Sequence, residues 1–291
     1  MEPTERVIAF ATSAKVDGVT DDDQLLASEL QRRGFHVEPV VWNAPDVAWE
    51  QYRAVIVRST WDYHLHIEQF LAWVTRLEKA GVRLVNTAEQ IRWNADKRYL
   101  RDLAERGVHV VPTRWVGKDE HTRLADIVNE RGWAEFVVKP SVSASAHRTW
   151  RGSQANVERY EEEYRAAVSG GVVLVQPFLD EVESLGEWSL LFYGGAYSHA
   201  AIKRPREGDF RVQREHGGTS EPAVAPAEVI EAAQLALSVA QRMHDRTRYA
   251  RVDGCVVDGA FTVMELELIE PDLFLRDDPD AARRLADVLD L

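Results

Sequence analysis

The stretch YARVDGCVVDGAFTVMELEL, residues 249–268, contains two apolar segments joined by Asp258-Gly259. An Asp-Gly pair between alternating apolar residues is typical of a β-hairpin. Because side chains alternate along a strand, Glu265 and Glu267 point to one face, which Asp253 on the partner strand can share. Three carboxylates on one face repel each other unless a cation lies among them, and such oxygen ligands suit Mg²⁺, with Mn²⁺ also possible. The hairpin therefore indicates a metal site, with a solvated outer sheet face as the alternative.

The rest of the chain after residue 90 predicts mixed α and β structure. Strands are expected at Phe136–Lys139, Val172–Gln176, Trp188–Phe192 and Ala196–Lys203, the last two joined by Gly194-Gly195, and helices at Ala95–Arg106, Val157–Val168 and Ala227–Met243. Residues 108–116 are expected to be extended. Hairpins and single helices in this order are typical of α+β lobes.

The first 90 residues instead alternate between short apolar segments and amphipathic helices. Strands are expected at Val7–Ala11, Val37–Trp42, Ala54–Val57 and Val82–Val85, and helices at Asp21–Arg33 and Ile67–Ala80. This alternation predicts a parallel sheet covered by helices. We therefore predict an α/β and α+β protein with an N-terminal parallel α/β domain at residues 1–90, a small lobe at 91–170 and a C-terminal lobe with the metal site at 171–291.

Composition excludes several classes of protein. The chain has 291 residues, 45% of them hydrophobic, and a formal net charge of -13 without a long basic run, so nucleic-acid binding is not expected. One cysteine excludes a disulfide framework. No apolar run reaches the roughly 18 residues of a membrane span, and we expect a cytoplasmic protein that does not bind membranes. Neither a P-loop nor a dinucleotide-binding glycine motif is present.

Two lysines lie where a phosphate could bind. Lys139 ends an apolar strand and precedes a loop of small residues that includes Ser143 and Ser145. Such a loop can place amides and hydroxyls against phosphate oxygens, although a lysine before an ordinary surface loop is the alternative. Lys97 is expected in the first turn of the helix Ala95–Arg106, where a cation opposes the helix dipole and so suggests another role.

The densest positive charge lies in KRPREGDFRVQR, residues 203–214. In a chain of net charge -13, this arginine-rich and loop-like segment beside an acidic metal site suits the stabilisation of a transferring phosphoryl group. A solubilising surface loop is the alternative.

In their order along the chain, these segments resemble the ATP-grasp superfamily. The resemblance covers roughly residues 91–274 and rests on Asp96-Lys97, FVVKP at 136–140, VLVQPFL at 173–179, Glu187, the loop 203–218, RVDG at 251–254 and MELE at 264–267. Within the superfamily the chain is similar to the glutathione synthetase and RimK-like ligases. It is more similar to the cyclo-ligases that close the D-cycloserine ring from O-ureido-D-serine, through RSTWDY at 58–63, WNADK at 93–97 and EWS at 187–189.

The resemblance implies an ATP-grasp fold in which two lobes hold ATP and two Mg²⁺ ions. The implied nucleotide-binding residues are Lys97, Lys139, Ser143 and Ser145 at the phosphates, Gln176, Pro177, Phe178 and Leu179 at the adenine, Glu187 at the ribose, and Gln213 at the terminal phosphate. The implied catalytic residues are Arg211 and Lys203, and the implied metal ligands are Asp253, Glu265 and Glu267. Two features depart from the family pattern. The loop after Lys139 is rich in serine and alanine rather than glycine, and Glu267 stands where asparagine is common, so either Glu267 or Glu270 completes the metal site.

The expected activity is an ADP-forming ligation. A small amino-acid-like carboxylate would be activated as an acyl phosphate and attacked by an amine, either on a second substrate or within the same molecule. Ligands of open α/β sheets bind beyond the carboxyl ends of the strands, and we assign Arg58, Ser59 and Asp62 to this substrate. The alternatives are a non-catalytic ATP-binding module and a small-molecule phosphotransferase. Relatives in the superfamily are often dimers, which makes a homodimer possible.

Overall fold

The computed structural model describes residues 4–291 and contains three sheets. The strands are β1 (Thr4–Thr12), β2 (His36–Val41), β3 (Tyr52–Ser59), β4 (Leu84–Val85), β5 (Arg114–Val116), β6 (Glu135–Pro140), β7 (Trp150–Ser153), β8 (Val173–Pro177), β9 (Glu187–Tyr193), β10 (Ala196–Arg204), β11 (Thr219–Ala223), β12 (Tyr249–Val257) and β13 (Ala260–Glu267). The α-helices are α1 (Asp21–Arg32), α2 (Ile67–Lys79), α3 (Ala88–Asn94), α4 (Tyr99–Ala104), α5 (Leu124–Arg131), α6 (Glu161–Gly170), α7 (Glu181–Ser184), α8 (Ala227–Met243) and α9 (Ala281–Val288).

The sheets differ in strand direction. The first has the order β2-β1-β3-β4 with parallel pairs, which confirms the predicted parallel α/β sheet. The second has the order β5-β8-β6-β7 and the third the order β11-β10-β9-β12-β13, and the pairs of both are antiparallel. The predicted α/β and α+β fold class is confirmed.

Both predicted hairpin turns are present. Asp258 and Gly259 have φ values of 50° and 79°, and Gly194 and Gly195 have φ values of 58° and 91°. Positive φ at both central residues is the geometry of a two-residue turn that matches the strand twist. The β12–β13 turn sets the register from Val257 to Gly254, and a register shift between Asp253 and Gly254 then places Asp253 opposite Glu265.

The turn between α3 and α4 corrects one prediction. The expected helix Ala95–Arg106 forms only at Tyr99–Ala104, as α4, and its predicted start is wrong, because a capping box between Thr87 and Gln90 starts an earlier helix at Ala88, which ends at Asn94. The Asn94 side chain donates to the Leu266 carbonyl and accepts from the Leu268 amide, both at 2.7 Å, and so ties the end of α3 to β13. Lys97 therefore lies in a turn that faces the third sheet, and the argument from a helix dipole does not apply.

Strand β8 lies on the small-lobe side of the chain. It pairs with β6 from Phe136 opposite Pro177 to Pro140 opposite Val173. Residues 173–177 therefore complete the second sheet, although the border that we placed between residues 170 and 171 assigns them to the C-terminal lobe. Of the extended segment expected at residues 108–116, only β5 forms a strand, and Val110 makes an isolated bridge with Val263. The three-domain division stays a prediction.

The C-terminal segment joins the third sheet to the first. Leu273 and Leu285 lie in one buried cluster with Ile8, Phe10 and Leu30 of the N-terminal unit. Burial of this apolar surface holds the carboxyl edge of the first sheet beside the charged face of the third. Within residues 4–291, no helix is long and apolar enough to cross a membrane.

Candidate active site

A cavity of about 1100 Å³ opens between the three sheets. Its wall includes Arg58 from the first sheet, Lys139 and Gln176 from the second, and Asp253 and Glu265 from the third. A pocket formed where separate units meet is a common place for small ligands. The cavity therefore brings together residues that are distant in sequence.

Charged side chains of alternating sign follow one face of the third sheet. Lys203 Nζ lies 2.5 Å from Glu187 Oε1 and 3.3 Å from Asp253 Oδ2. Arg251 Nε donates to both Asp253 oxygens at 3.0 Å, and Ser189 Oγ donates to Asp253 Oδ1 at 2.5 Å. Asp253 is therefore a buried anion with three donors, and Lys203, which we predicted to be catalytic, is held by two carboxylates.

Lys97 connects this face to the loop after β6. Its Nζ lies 2.9 Å from Glu265 Oε1 and donates to the Ser143 carbonyl at 2.5 Å. Its backbone amide donates to the Ser141 carbonyl at 2.8 Å. The lysine thus holds the first part of the serine-rich loop above Glu265.

Lys139 differs from the other cavity cations in its surroundings. Across the described part of the chain, no carboxylate lies within ion-pair distance of its Nζ, whereas Lys97 has one such partner and Lys203 has two. Burial lowers the pKa of Lys139, and the charge of Lys97 lowers it further against the attraction of Glu265. A partly buried cation without a close anion is costly, and an anionic ligand in the cavity would supply that anion.

Burial and neighbouring charges shift the pKa values of three carboxyl groups near β13 in different directions. Burial acts to raise the pKa of Asp253, but Arg251 and Lys203 hold it below its usual value. Burial raises the pKa of Glu267 to about 7 against the opposing charge of Arg251. Burial and the charge of Glu267 raise the pKa of Glu270 well above its usual range. Burial thus favours the neutral forms of Glu267 and Glu270, whereas the adjacent cations favour the charged form of Asp253.

The donor set fits a hard cation in chemistry, but it is not preassembled. Among residues 4–291, no three acidic, histidine or cysteine side chains already converge as a metal-binding cluster. Asp253 and Glu265 are opposite each other on β12 and β13, yet each faces a basic side chain. A cation would therefore have to displace Lys97 and Arg251 from these oxygens.

The other end of the cavity is apolar and aromatic. Gln176 at the end of β8 donates to Thr113 Oγ1 at 2.8 Å, and Phe178 follows Pro177 on the wall. The Arg151 guanidinium lies 3.5 Å from the centre of the Phe178 ring, and the Phe210 ring lies 6.3 Å from it. With Leu179 also on the wall, these side chains form a slot that suits a flat ring.

The arginine-rich loop closes one side of the cavity. Arg211 lies on the wall and pairs with Asp209, with Nη2 at 2.8 Å from Oδ2. Gln213 also lines the cavity, and its Oε1 is buried without a hydrogen-bond partner within residues 4–291. His216 Nε2 lies 3.3 Å from the Ser145 carbonyl, so this loop contacts the serine-rich loop opposite. The two loops together cover the middle of the cavity.

The three residues that we assigned to the substrate lie in different places. Arg58 is on the cavity wall and pairs with Asp23, with Nε at 2.7 Å from Oδ1. Ser59 is fully buried and is absent from the wall. Asp62 is also away from the wall and accepts from Trp42 Nε1 at 2.9 Å. The structure therefore brings only Arg58 to the cavity.

Comparison with known proteins relates the whole chain to one relative. The sequence model of the family described as D-cycloserine synthetase DcsG, N-terminal domain, matches residues 8–86. The cycloserine biosynthesis protein DcsG of Streptomyces lavendulae is 33% identical over 296 residues, which cover 97% of each chain. The chain belongs to the DcsG family.

Solved structures agree with this membership. The crystal structure of D-cycloserine synthetase DcsG matches with a TM-score of 0.88 and 30% identity, over 97% of this chain and 98% of the other. A RimK domain ATP-grasp protein of Sphaerobacter thermophilus matches with a TM-score of 0.72, 17% identity and coverage of 97% and 98%. D-alanine–D-alanine ligase of Bacillus anthracis complexed with ATP matches with a TM-score of 0.68, 17% identity and coverage of 98% and 96%. The predicted ATP-grasp fold is confirmed, and this DcsG-family chain is an ATP-grasp ligase.

Sequence reasoning missed two groups of cavity residues in this DcsG-family chain. Arg251 lies two residues before Asp253 and therefore on the same strand face, so the alternation that identified the carboxylates also indicated the arginine. Asp22 and Asp23 reach the cavity from the first turn of α1. No local pattern relates them to Arg58, because the contact depends on where α1 begins beside the carboxyl edge of the first sheet.

The geometry of Asp62 gives a test of its role in the DcsG-family site. Asp62→Ala removes the acceptor of the buried Trp42 indole, and an unpaired buried donor costs about 1–3 kcal/mol. We expect the free energy of unfolding, measured in urea, to fall by that amount while KM for the substrate stays within a factor of about two. A large rise in KM with unchanged stability would instead support the substrate contact that we predicted from the sequence.

Proposed function

We propose that the chain is an ADP-forming ligase that uses ATP and Mg²⁺ to activate the carboxylate of a small amino-acid-like substrate. The observation that carries the proposal is the 33% identity to a cycloserine biosynthesis protein across 97% of the chain. The cavity supports it, because cations, carboxylates and an aromatic slot line one continuous space. We further propose that the attacking amine belongs to the same molecule, so that the product is a small ring.

The nucleotide would occupy the end of the cavity bounded by the second sheet. Lys139 and Lys97 would bind its phosphates, and the lack of a carboxylate beside Lys139 in the described residues favours this. The segment from Gln176 to Leu179 would contact the adenine, and Glu187 the ribose. A structural neighbour, the Bacillus anthracis D-alanine–D-alanine ligase, is described as complexed with ATP, which agrees with this assignment.

Asp253, Glu265 and Glu267 would hold Mg²⁺, with Glu270 as the alternative to Glu267. Their oxygens are the ligands that Mg²⁺ prefers, and the ion would take the place of Lys97 at Glu265 and of Arg251 at Asp253. When bound, the metal would offset negative charge on the transferring phosphoryl group. Arg211, on the loop side of the cavity, would offset the same negative charge.

The reaction would need no protein nucleophile. The substrate carboxylate attacks the terminal phosphorus of ATP, which releases ADP and forms an acyl phosphate. The amine then attacks the acyl carbon, and phosphate leaves as the ring closes. Burial in a cavity covered by two loops would protect the acyl phosphate from water.

Substrate screening tests this proposal. The chain is incubated with ATP, Mg²⁺ and a panel of amino acids that includes O-ureido-D-serine, singly and with a second amine. We expect equimolar ADP and phosphate with a single acid, and a ring-closed product by mass spectrometry. Release only with a second amine would contradict intramolecular closure, and a stable phosphorylated product would identify a phosphotransferase. ATP binding without release for any acid would favour the non-catalytic module.

A further inference from the structure

Two buried polar atoms where α1 and β3 line the cavity have no hydrogen-bond partner within residues 4–291. One is Oδ2 of Asp22, and the other is Nη1 of Arg58. Both residues are 3% exposed and both line the cavity. Buried polar groups are nearly always hydrogen-bonded, so a pair without partners on a cavity wall indicates a missing ligand.

The remaining atoms of both side chains are fixed. Arg58 Nε pairs with Asp23 at 2.7 Å, and Nη2 donates to the Pro271 carbonyl at 2.8 Å. Asp22 Oδ1 accepts from the Arg276 amide at 3.2 Å and from its Nε at 3.3 Å. Each side chain is therefore held in place by its other polar atoms and leaves one atom available to hydrogen-bond a ligand. Such preorganisation is typical of a site that selects its ligand.

The two available atoms differ in chemistry. Arg58 offers a donor that carries positive charge, and Asp22 offers an acceptor that carries negative charge when ionised. Burial and the nearby carboxylate of Asp272 raise the pKa of Asp22 to about 6, which an adjacent cation would counteract. Asp22 and Asp23 are consecutive in α1, and Asp23 pairs with Arg58, so both atoms belong to one small region. A ligand with an ammonium group and an oxygen acceptor close together satisfies both.

We propose that Asp22 is the specificity-determining residue for the α-ammonium group of the substrate, while Arg58 Nη1 donates to an oxygen of the same molecule. The proposal rests on the proposed function and narrows its substrate class to zwitterionic α-amino acids. A carboxylic acid without the ammonium group would leave the Asp22 carboxylate buried and unpaired. Sites built for a polar group strongly reject analogues that lack it.

Paired substrates test the proposal. The most active amino acid of the panel is compared with the same molecule in which hydrogen replaces the α-ammonium group. We expect wild-type kcat/KM to favour the amino acid by about 100-fold or more. Asp22→Asn keeps the shape and the Oδ1 acceptor, and it should reduce this preference to less than about 10-fold, mainly through a higher KM for the amino acid. Equal losses for both substrates would overturn the proposal.

A control variant and further measurements distinguish a loss of the Asp22 charge from a general change of charge, from misfolding and from a failure of catalysis. Asp17→Asn removes a carboxylate from the loop before α1, at an exposed position away from the cavity wall, and it should keep the wild-type preference. An unchanged KM for ATP and an unchanged Tm would show that Asp22→Asn folds correctly. If no acid of the panel releases ADP, the proposed function fails, and calorimetric titration of O-ureido-D-serine still tests the subsite. Equal affinity of wild type and Asp22→Asn in that titration would overturn the proposal, and a loss of about 10-fold or more would support it.

Discussion

Arg211→Ala is expected to lower kcat by about 100- to 1000-fold, as is typical when one donor to a developing charge is removed. Arg211 lines the cavity from a loop, and its only described partner is the neighbouring Asp209, so it is free to turn towards a transferring phosphoryl group. Because its interaction would form mainly in the transition state, ATP affinity should change little. Single-turnover ADP formation and equilibrium binding of ATP measure the two effects separately.

A neighbouring arginine provides the matched control for this experiment. Arg206 lies on the same loop but is exposed and absent from the cavity wall. Arg206→Ala removes the same charge, and kcat should stay within a factor of about two. An equal loss in both variants would show that Arg211 acts only through the general charge of the loop. Unchanged turnover in Arg211→Ala would remove it from the catalytic residues.

The fold and the centre of the candidate site could be predicted because their signals are local. The Asp258-Gly259 turn predicts the hairpin, and alternation along β13 puts Glu265 and Glu267 on one face, whereas Asp253 comes opposite Glu265 through a register shift between Asp253 and Gly254. The same alternation places Arg251 on the face of Asp253, two residues before it on β12. The local pattern thus identified which charged side chains lie on this strand face, but not which of them form ion pairs.

The contacts that depend on distant segments could not be predicted. Lys97 reaches Glu265 because Asn94 binds the backbone of β13, across more than 170 residues of sequence. Arg58 faces Asp23 because α1 begins beyond the carboxyl end of β1, beside the carboxyl end of β3. A short motif such as Arg58–Tyr63 contains both wall and core residues, and only tertiary packing separates Arg58 from Asp62.

Arg251 binds two of the carboxylates that would hold a metal ion, and its replacement is expected to have a large effect on stability. It pairs with Asp253 at 3.0 Å and with Glu267 at 2.5 Å, and all three side chains are largely buried. Arg251→Met leaves the partly buried Glu267 without its described cation, and it leaves the buried Asp253 with Lys203 as its remaining cation. Breaking a buried ion pair on one side typically costs about 3–5 kcal/mol, so the free energy of unfolding in urea should fall by that amount without Mg²⁺.

Mg²⁺ should restore part of this loss, because an ion that binds only the folded state stabilises it by mass action. In the wild-type chain Arg251 competes with the ion for the same oxygens, so millimolar Mg²⁺ should raise the Tm of Arg251→Met more than that of the wild type. Arg248→Met is the matched control, since Arg248 pairs at 2.6 Å with the exposed Asp290, and such surface pairs contribute about 1 kcal/mol or less. Its Tm should respond to Mg²⁺ as the wild type does. Equal Mg²⁺ shifts in all three proteins would contradict a cation site at Asp253 and Glu267, and the carboxylates would then belong to a purely internal ion-pair network.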